Sequence, residues 1–106
     1  MSAGSYRVPV FLQQPVDTTG ADGRVVRSFE AAGTTFVSLR LQGQTERFDN
    51  DQLVSRGLYE IRLRPFSGLK GGWHIVAGTR VFRVLSIADP TMRQREWICE
   101  AEEEGA

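Results

Sequence analysis

Apolar and polar side chains alternate along several short segments of the chain, and this alternation predicts β-strands. Between residues 6 and 14, Val8, Val10 and Leu12 share one face, as expected of a half-buried antiparallel strand. The same period of two, or a short β-branched and aromatic run, predicts further strands. They cover residues 24–30, 34–41, 58–64, 73–76, 80–88 and 94–101.

The segment between residues 43 and 57 loses this alternation. Its sequence DNDQLVSRG predicts a short helix, because Asp49 or Asn50 can cap the N-terminus and Gly57 can end the helix in a left-handed conformation. The turn-rich stretches PVDTTGADG and PFSGLKGG predict loops. The last residues, 102–106, are expected to form a flexible acidic tail.

Many short strands separated by Gly and Pro turns predict an all-β fold. We expect a small antiparallel β-barrel of about six strands with one short helix in a long loop, because closure removes exposed strand edges. The length of 106 residues fits a single domain, 1–106. No stretch reaches the roughly 20 apolar residues of a membrane helix, and no signal peptide is evident, so we expect no membrane partner and synthesis in the cytoplasm.

Residues with catalytic or metal-binding chemistry are few. His74 and Cys99 are the only histidine and cysteine, and a hydrolase that pairs them is one hypothesis. An inert thiol packed beside Trp97 is favoured over it. Asp49 and Asp51 resemble the start of a calcium loop that lacks its glycine and distal glutamate. We therefore predict no catalytic site, metal or cofactor.

Nucleic-acid binding is an alternative function for a small barrel. Arg62 and Arg64 share one face of their strand, opposite Tyr59. Nucleic-acid-binding barrels combine basic and aromatic side chains on one face, and no aromatic interleaves with these arginines. Acidic and basic residues also balance at 13 each, without the basic excess typical of nucleic-acid partners. A solvated or subunit-facing arginine face is therefore favoured.

The segment 80–88 is apolar on both faces. Val81, Leu85 and Ile87 line one face, and Phe82 and Val84 line the other, which we assign to the core. In a small barrel the outward face must meet a loop, a helix or another subunit. A domain without a catalytic set that carries such a strand is predicted to be a structural or assembly module.

The C-terminal half, GGWHIVAGTRVFRVLSIADPTMRQREWICEAEE, resembles the signature of phage head-tail adaptor proteins, also called head-closure or stopper proteins. The N-terminal segments YRVPVFLQQPVDTTGADGRVVRSF and LRLQGQTE resemble the same family less specifically, and the proline usual in the second is missing. The similarity covers almost the whole chain. The positions that match the C-terminal pattern are Ile75, Gly78, Phe82, Val84, Ile87, Asp89, Pro90, Cys99 and Glu100.

This resemblance implies a ring at the neck of a virion or phage-like particle. Such a ring lies below the portal and adaptor complex, closes the DNA channel and docks the tail. The family fold is a small β-barrel with a long excursion that reaches into the channel, for which residues 41–57 are the candidate. The channel-loop candidates are Gln44, Glu46, Arg47, Asp49, Asp51 and Gln52.

A ring of heterologous contacts needs two different complementary surfaces on each copy. The implied partners are the adaptor or portal ring above, tail terminator or tail tube proteins below, and copies of the chain itself in a ring of six or twelve. Contact with packaged DNA, and the choice between a phage and a gene transfer agent, stay open. The subunit-interface candidates are Arg62, Arg64, Val81, Arg83, Leu85, Ile87, Glu100 and Glu102.

Overall fold

The computed structural model describes residues 6–89 and 95–104, apart from the side chains of Arg47 and Asp49. All regular secondary structure in this part of the chain is β-strand. Pro90, one position of the family pattern, and the end of the expected tail, residues 105–106, lie outside the described residues. The six strands are β1 (Val8–Thr19), β2 (Val25–Asp49), β3 (Gln52–Leu63), β4 (His74–Ala77), β5 (Arg80–Ala88) and β6 (Trp97–Glu103).

The six strands close into a barrel in the order β1-β2-β3-β6-β5-β4. All neighbours are antiparallel, and β1 closes the ring because it pairs with β2 along its whole length and with β4 at Phe11, Leu12 and Gln13. The predicted all-β antiparallel barrel is therefore confirmed. Closure explains how so short a chain avoids exposed edges around its core.

The predicted short helix is wrong, because residues 44–57 form a β-hairpin between β2 and β3. Gln44 pairs with Gly57, and Phe48 pairs with Leu53 near the tip. Asn50 and Asp51 make the two-residue turn with φ angles of 52° and 63°. Tight hairpin turns of this kind need positive φ at both central residues, which Asn and Asp tolerate better than most. The residues interpreted as a helix cap therefore form a turn.

Two other segments are more ordered than the sequence predicts. The strand β1 runs through the expected loop to Thr19, and Pro15 pairs with Phe29. Segments 24–30 and 34–41 form one continuous strand that passes Gly33 with a register shift on the β1 side. The expected flexible tail also differs, since β6 includes Glu103.

The core lies inside the barrel and is formed by the inward side chains of every strand. Phe82 and Val84 are buried as predicted. Leu85 is exposed as the alternation with Phe82 and Val84 predicts, whereas a bulge between Val84 and Ser86 returns Ile87 to the core opposite Cys99. The placement of Ile87 on the outer face is therefore wrong, because a bulge adds one residue and reverses the faces beyond it.

Gly33 lies where the β2 backbone passes close to an aromatic ring. A Cβ atom added at Gly33 would lie 2.6 Å from Cζ of Phe66, whereas one added at Gly43 would meet no atom within 4 Å. Phe66 packs edge-on against Trp73, with ring centroids 6.4 Å apart. The absent side chain of Gly33 therefore lets the segment between β3 and β4 close over the core.

We predict that Gly33→Ala lowers the free energy of unfolding by about 1–3 kcal/mol, the usual cost of overpacking, as measured by urea denaturation. Gly43→Ala is the matched control and should change stability by less than about 0.5 kcal/mol. The penalty at Gly33 should become smaller in a Phe66→Ala background, because the clashing ring is gone, and the part that comes from the φ angle of 158° at Gly33 should remain. An equal penalty in both backgrounds would contradict the proposed contact.

Candidate assembly surfaces

The β2–β3 hairpin, residues 44–57, extends beyond the barrel. Pairing between β3 and β6 begins only at Leu58, so in the described residues the two hairpin strands pair only with each other. Phe48 is 77% exposed and Leu53, opposite it, is 60% exposed. An exposed pair of large apolar side chains at a projecting tip is typical of a contact surface.

The channel-loop candidates all lie on this hairpin. Arg47 and Asp49 belong to β2 near the tip, and the structure describes their backbone only. The side chains of the other candidates are exposed. They are Gln44, Glu46, Asp51 and Gln52.

Glu102 holds the root of the hairpin to the barrel. Its side chain is buried, with the residue only 4% exposed. The carboxylate accepts a hydrogen bond of 2.9 Å from Thr45 Oγ1 on β2 and one of 3.4 Å from Arg83 Nη2 on β5. Arg83 also donates to Glu104 at 3.1 Å. Glu102 and Arg83, both candidates for a subunit interface, are therefore engaged with groups of their own subunit.

The two arginines of β3 have different surroundings. Arg62 contacts Glu96 at 3.0 Å and Glu60 at 3.4 Å, so its charge is neutralised within the subunit. Arg64 is exposed beside Tyr6 and Phe36 at a small cavity of about 210 Å³. This interleaving of acids with arginines is unlike the continuous basic groove that tracks a nucleic-acid backbone.

The phenol of Tyr6 belongs to the same cluster as Arg62. Tyr6 donates a hydrogen bond to Glu96. Burial, followed by this bond and the negative charge of Glu96, raises the pKa of Tyr6 to about 12. The cluster therefore fixes the chain just before β1 to the segment that enters β6.

His74 and Cys99 are not neighbours. They lie on β4 and β6, which are separated by β5. Cys99 is buried in the core, and burial raises the pKa of its thiol to about 12. His74 lies outside, stacked on Phe29 with ring centroids 3.7 Å apart. The Cys-His pair required by the hydrolase hypothesis is therefore not formed.

The environment of His74 is mixed. Burial lowers the pKa of its imidazole, Glu104 opposes this and Arg83 adds to it. Glu104 Oε1 lies 4.0 Å from His74 Nε2. Within residues 6–89 and 95–104, no three potential metal ligands converge, and no helix suited to crossing a membrane is found.

Two apolar patches lie on the outer wall of the barrel. The β1–β2 patch contains Phe11, 58% exposed, and Phe36, 56% exposed. The β5–β6 patch contains Leu85, 36% exposed, and three further residues whose side chains face outward or are exposed. These residues are Ala88, Ile98 and Glu100.

The sequence analysis found only part of these surfaces. It identified Leu85, Glu100 and Arg64, which are exposed, and Val81, which is half-buried. Phe11 lies between Val10 and Leu12, so the alternation of the first strand places it on the outer face, but the sequence analysis gave it no role. The exposed tip residue Phe48 was missed because its segment was interpreted as a long loop leading into a short helix, in which no outward β face exists.

A closed barrel with a buried thiol, a projecting apolar hairpin and exposed apolar patches defines a structural assembly module. Comparison with known proteins narrows this class. A sequence profile of the phage head completion protein family matches residues 1–104, so the chain belongs to this family. The family resemblance inferred from the sequence is confirmed, and the role of the chain is a structural one in phage head completion.

Two solved structures share the fold. One is a chain in the virion of a native gene transfer agent particle, with a TM-score of 0.77, 18% sequence identity and coverage of 94% of this chain and 98% of that chain. The other is the solution structure of protein SF1141 from Shigella flexneri 2a, with a TM-score of 0.66, 18% identity and coverage of 96% of each chain. No curated protein matches the sequence.

We predict that Glu102→Ala lowers the free energy of unfolding by about 1–3 kcal/mol, because it leaves Thr45 and Arg83 without their buried acceptor. Amide hydrogen exchange in residues 44–57 should also accelerate, since the bond at the hairpin root is lost. Glu100→Ala, two residues earlier on the same strand and exposed, is the control and should change both measurements little. Equal effects of the two variants would contradict the anchoring role.

We also predict that Cys99 in the folded protein reacts with iodoacetamide at pH 8 roughly a thousandfold more slowly than an unperturbed thiol, because a pKa near 12 leaves little thiolate. Unfolding in urea should restore the ordinary rate. Rapid alkylation without unfolding would show an accessible thiolate and contradict the core position.

Proposed function

We propose that the chain is a head-closure protein that forms a ring at the particle neck, between the portal or adaptor and the tail. The ring closes the DNA channel and offers the tail a docking surface. The observation that carries this proposal is the β2–β3 hairpin with its apolar tip, which projects from the closed barrel. Copies related by a ring axis can bring such hairpins together at the centre.

The physical argument begins with the exposed tip. A two-stranded ribbon is marginally stable in water, and burying a large apolar side chain contributes about 1.5–3 kcal/mol. Phe48 and Leu53 lack this burial in the single subunit. Tips that meet at a ring axis would bury one another and obstruct the channel. The ring therefore supplies the contacts that the hairpin lacks in a single copy.

The charges on the hairpin favour a plug over a DNA-binding surface. The hairpin carries three acids, Glu46, Asp49 and Asp51, and two bases, Arg47 and Arg56, so it lacks the basic excess that neutralises DNA phosphates and releases their counterions. In the proposed ring, the hairpin therefore blocks the passage of DNA sterically, and its tip contacts the hairpins of neighbouring copies. Adaptor or portal copies above and tail proteins below are the remaining proposed partners.

Shortening the hairpin tests this role. Removal of residues 46–49 and 52–55 keeps the Asn50-Asp51 turn and the Thr45–Glu102 hydrogen bond, so the barrel should stay folded. We predict that particles carrying this variant lose most of their packaged DNA, measured as nuclease-protected DNA per particle. The barrel's melting transition provides the check on folding.

A full-length Phe48→Ser, Leu53→Ser variant is the matched control for the apolar tip. It keeps the reach of the hairpin but removes the burial available to it, so its DNA retention should fall between those of the shortened chain and the unchanged chain. Unchanged retention in the shortened variant, with the chain present in the particle, would contradict the channel-closing role.

A further inference from the structure

We propose that the β1–β2 patch of one copy packs against the β5–β6 patch of the next copy, and that Arg64 and Glu100 pair across this contact. This inference rests on the proposed ring and names the surfaces that build it. It commits to a second copy of the chain as the partner of both patches. The β2–β3 hairpin takes no part in this contact and can extend away from it.

The strand order places the two patches on opposite walls. In the closed order β1-β2-β3-β6-β5-β4, the seam between β1 and β2 lies half-way around the barrel from the seam between β6 and β5. A head-to-tail ring requires two surfaces on opposite sides of each subunit. The topology therefore puts the two apolar patches where consecutive copies would meet.

The β1–β2 patch has the composition of an interface centre. Phe11 pairs with Thr34, and Phe36 pairs with Pro9 two residues further along β2, so the two phenyl rings are diagonal neighbours on the outer face. Both rings are more than half exposed. Aromatic side chains and arginine are enriched at the centres of protein interfaces, and Arg64 lies beside Phe36.

The bulge in β5 enlarges the β5–β6 patch. Leu85 faces outward by ordinary alternation with the buried Phe82 and Val84, and the bulge places Ser86 and Ala88 on the same wall. Ile98 pairs with Ala88 on the same wall, and Glu100 pairs with Ser86. The bulge therefore adds outward positions beside Leu85 and next to the carboxylate of Glu100.

The charges of the two patches are complementary. Arg64 and Glu100 are exposed, and neither makes an ion pair with a residue in the described part of the chain. The contact between opposite walls brings these charges together, whereas contact between two β1–β2 patches would bring arginines together. Complementary charges at the rim of an interface set register and exclude wrong pairings. A heterologous contact is therefore favoured over a symmetric dimer.

Cysteine cross-linking between two differently labelled chains tests the contact. One full-length chain carries Phe36→Cys and the other carries Leu85→Cys, with the buried Cys99 left in place. On mixing and oxidation, the mixed disulfide should form about tenfold faster than either homodimer, because the interface raises the effective concentration of the two thiols. Thr79→Cys, exposed in the β4–β5 turn, replaces Leu85→Cys in the control pair and should react at the homodimer rate.

Charge reversal then tests the ion pair. Arg64→Glu in the first chain, or Glu100→Arg in the second, should slow the mixed cross-link, and the two together should restore most of the rate. Faster homodimers, a rate equal to the Thr79→Cys control, or no restoration by the double reversal would overturn the inference. If the mixed cross-link forms but the chain is absent from the particle neck, only the proposed function is overturned. If the chain forms a ring at the neck but the mixed cross-link does not form, only the proposed surfaces are overturned.

Discussion

Closure of the sheet is the constraint on which the rest of the structure depends. β1 pairs with β2 and also with β4, so the backbone groups around the core find partners inside the subunit. Around the core the closed barrel offers a second copy no strand edge to extend, and free edges remain where the β1–β2 and β2–β3 pairs extend past it. Association must therefore use outward side chains and the segments that extend past the barrel, which are the parts that the structure leaves exposed and apolar.

Irregularities in the ladders decide which side chains become available. The bulge after Val84 places Ser86 and Ala88 on the outer wall and returns Ile87 to the core. A second register shift, between Leu41 and Gly43, lies where β2 leaves the barrel and enters the hairpin. Glu102 stabilises this root through Thr45. The core and the assembly surfaces thus share the same strands, because local bulges redirect a few side chains without opening the barrel.

The alternation of the sequence predicted the barrel and its inward residues because half-buried antiparallel strands impose a period of two. It failed at Asn50-Asp51, where the residues that form a tight turn are also those that cap helices. The prediction also failed at Ile87, because a bulge reverses which face the following side chains take. The position of this bulge depends on how β5 pairs with β6, and the sequence of β5 alone does not reveal it. Of the candidate surfaces, the exposed charged residues Arg64 and Glu100 could be predicted from the sequence. The opposition of the two apolar patches could not, since it follows from strand order.

The central claim is that this head completion protein forms a ring at the junction of head and tail. Electron microscopy of the assembled particle tests it most directly. The account predicts a ring of density at the neck that fits copies of this barrel, with the β2–β3 hairpins directed toward the channel axis. A well-resolved neck in which no density fits this chain would contradict it.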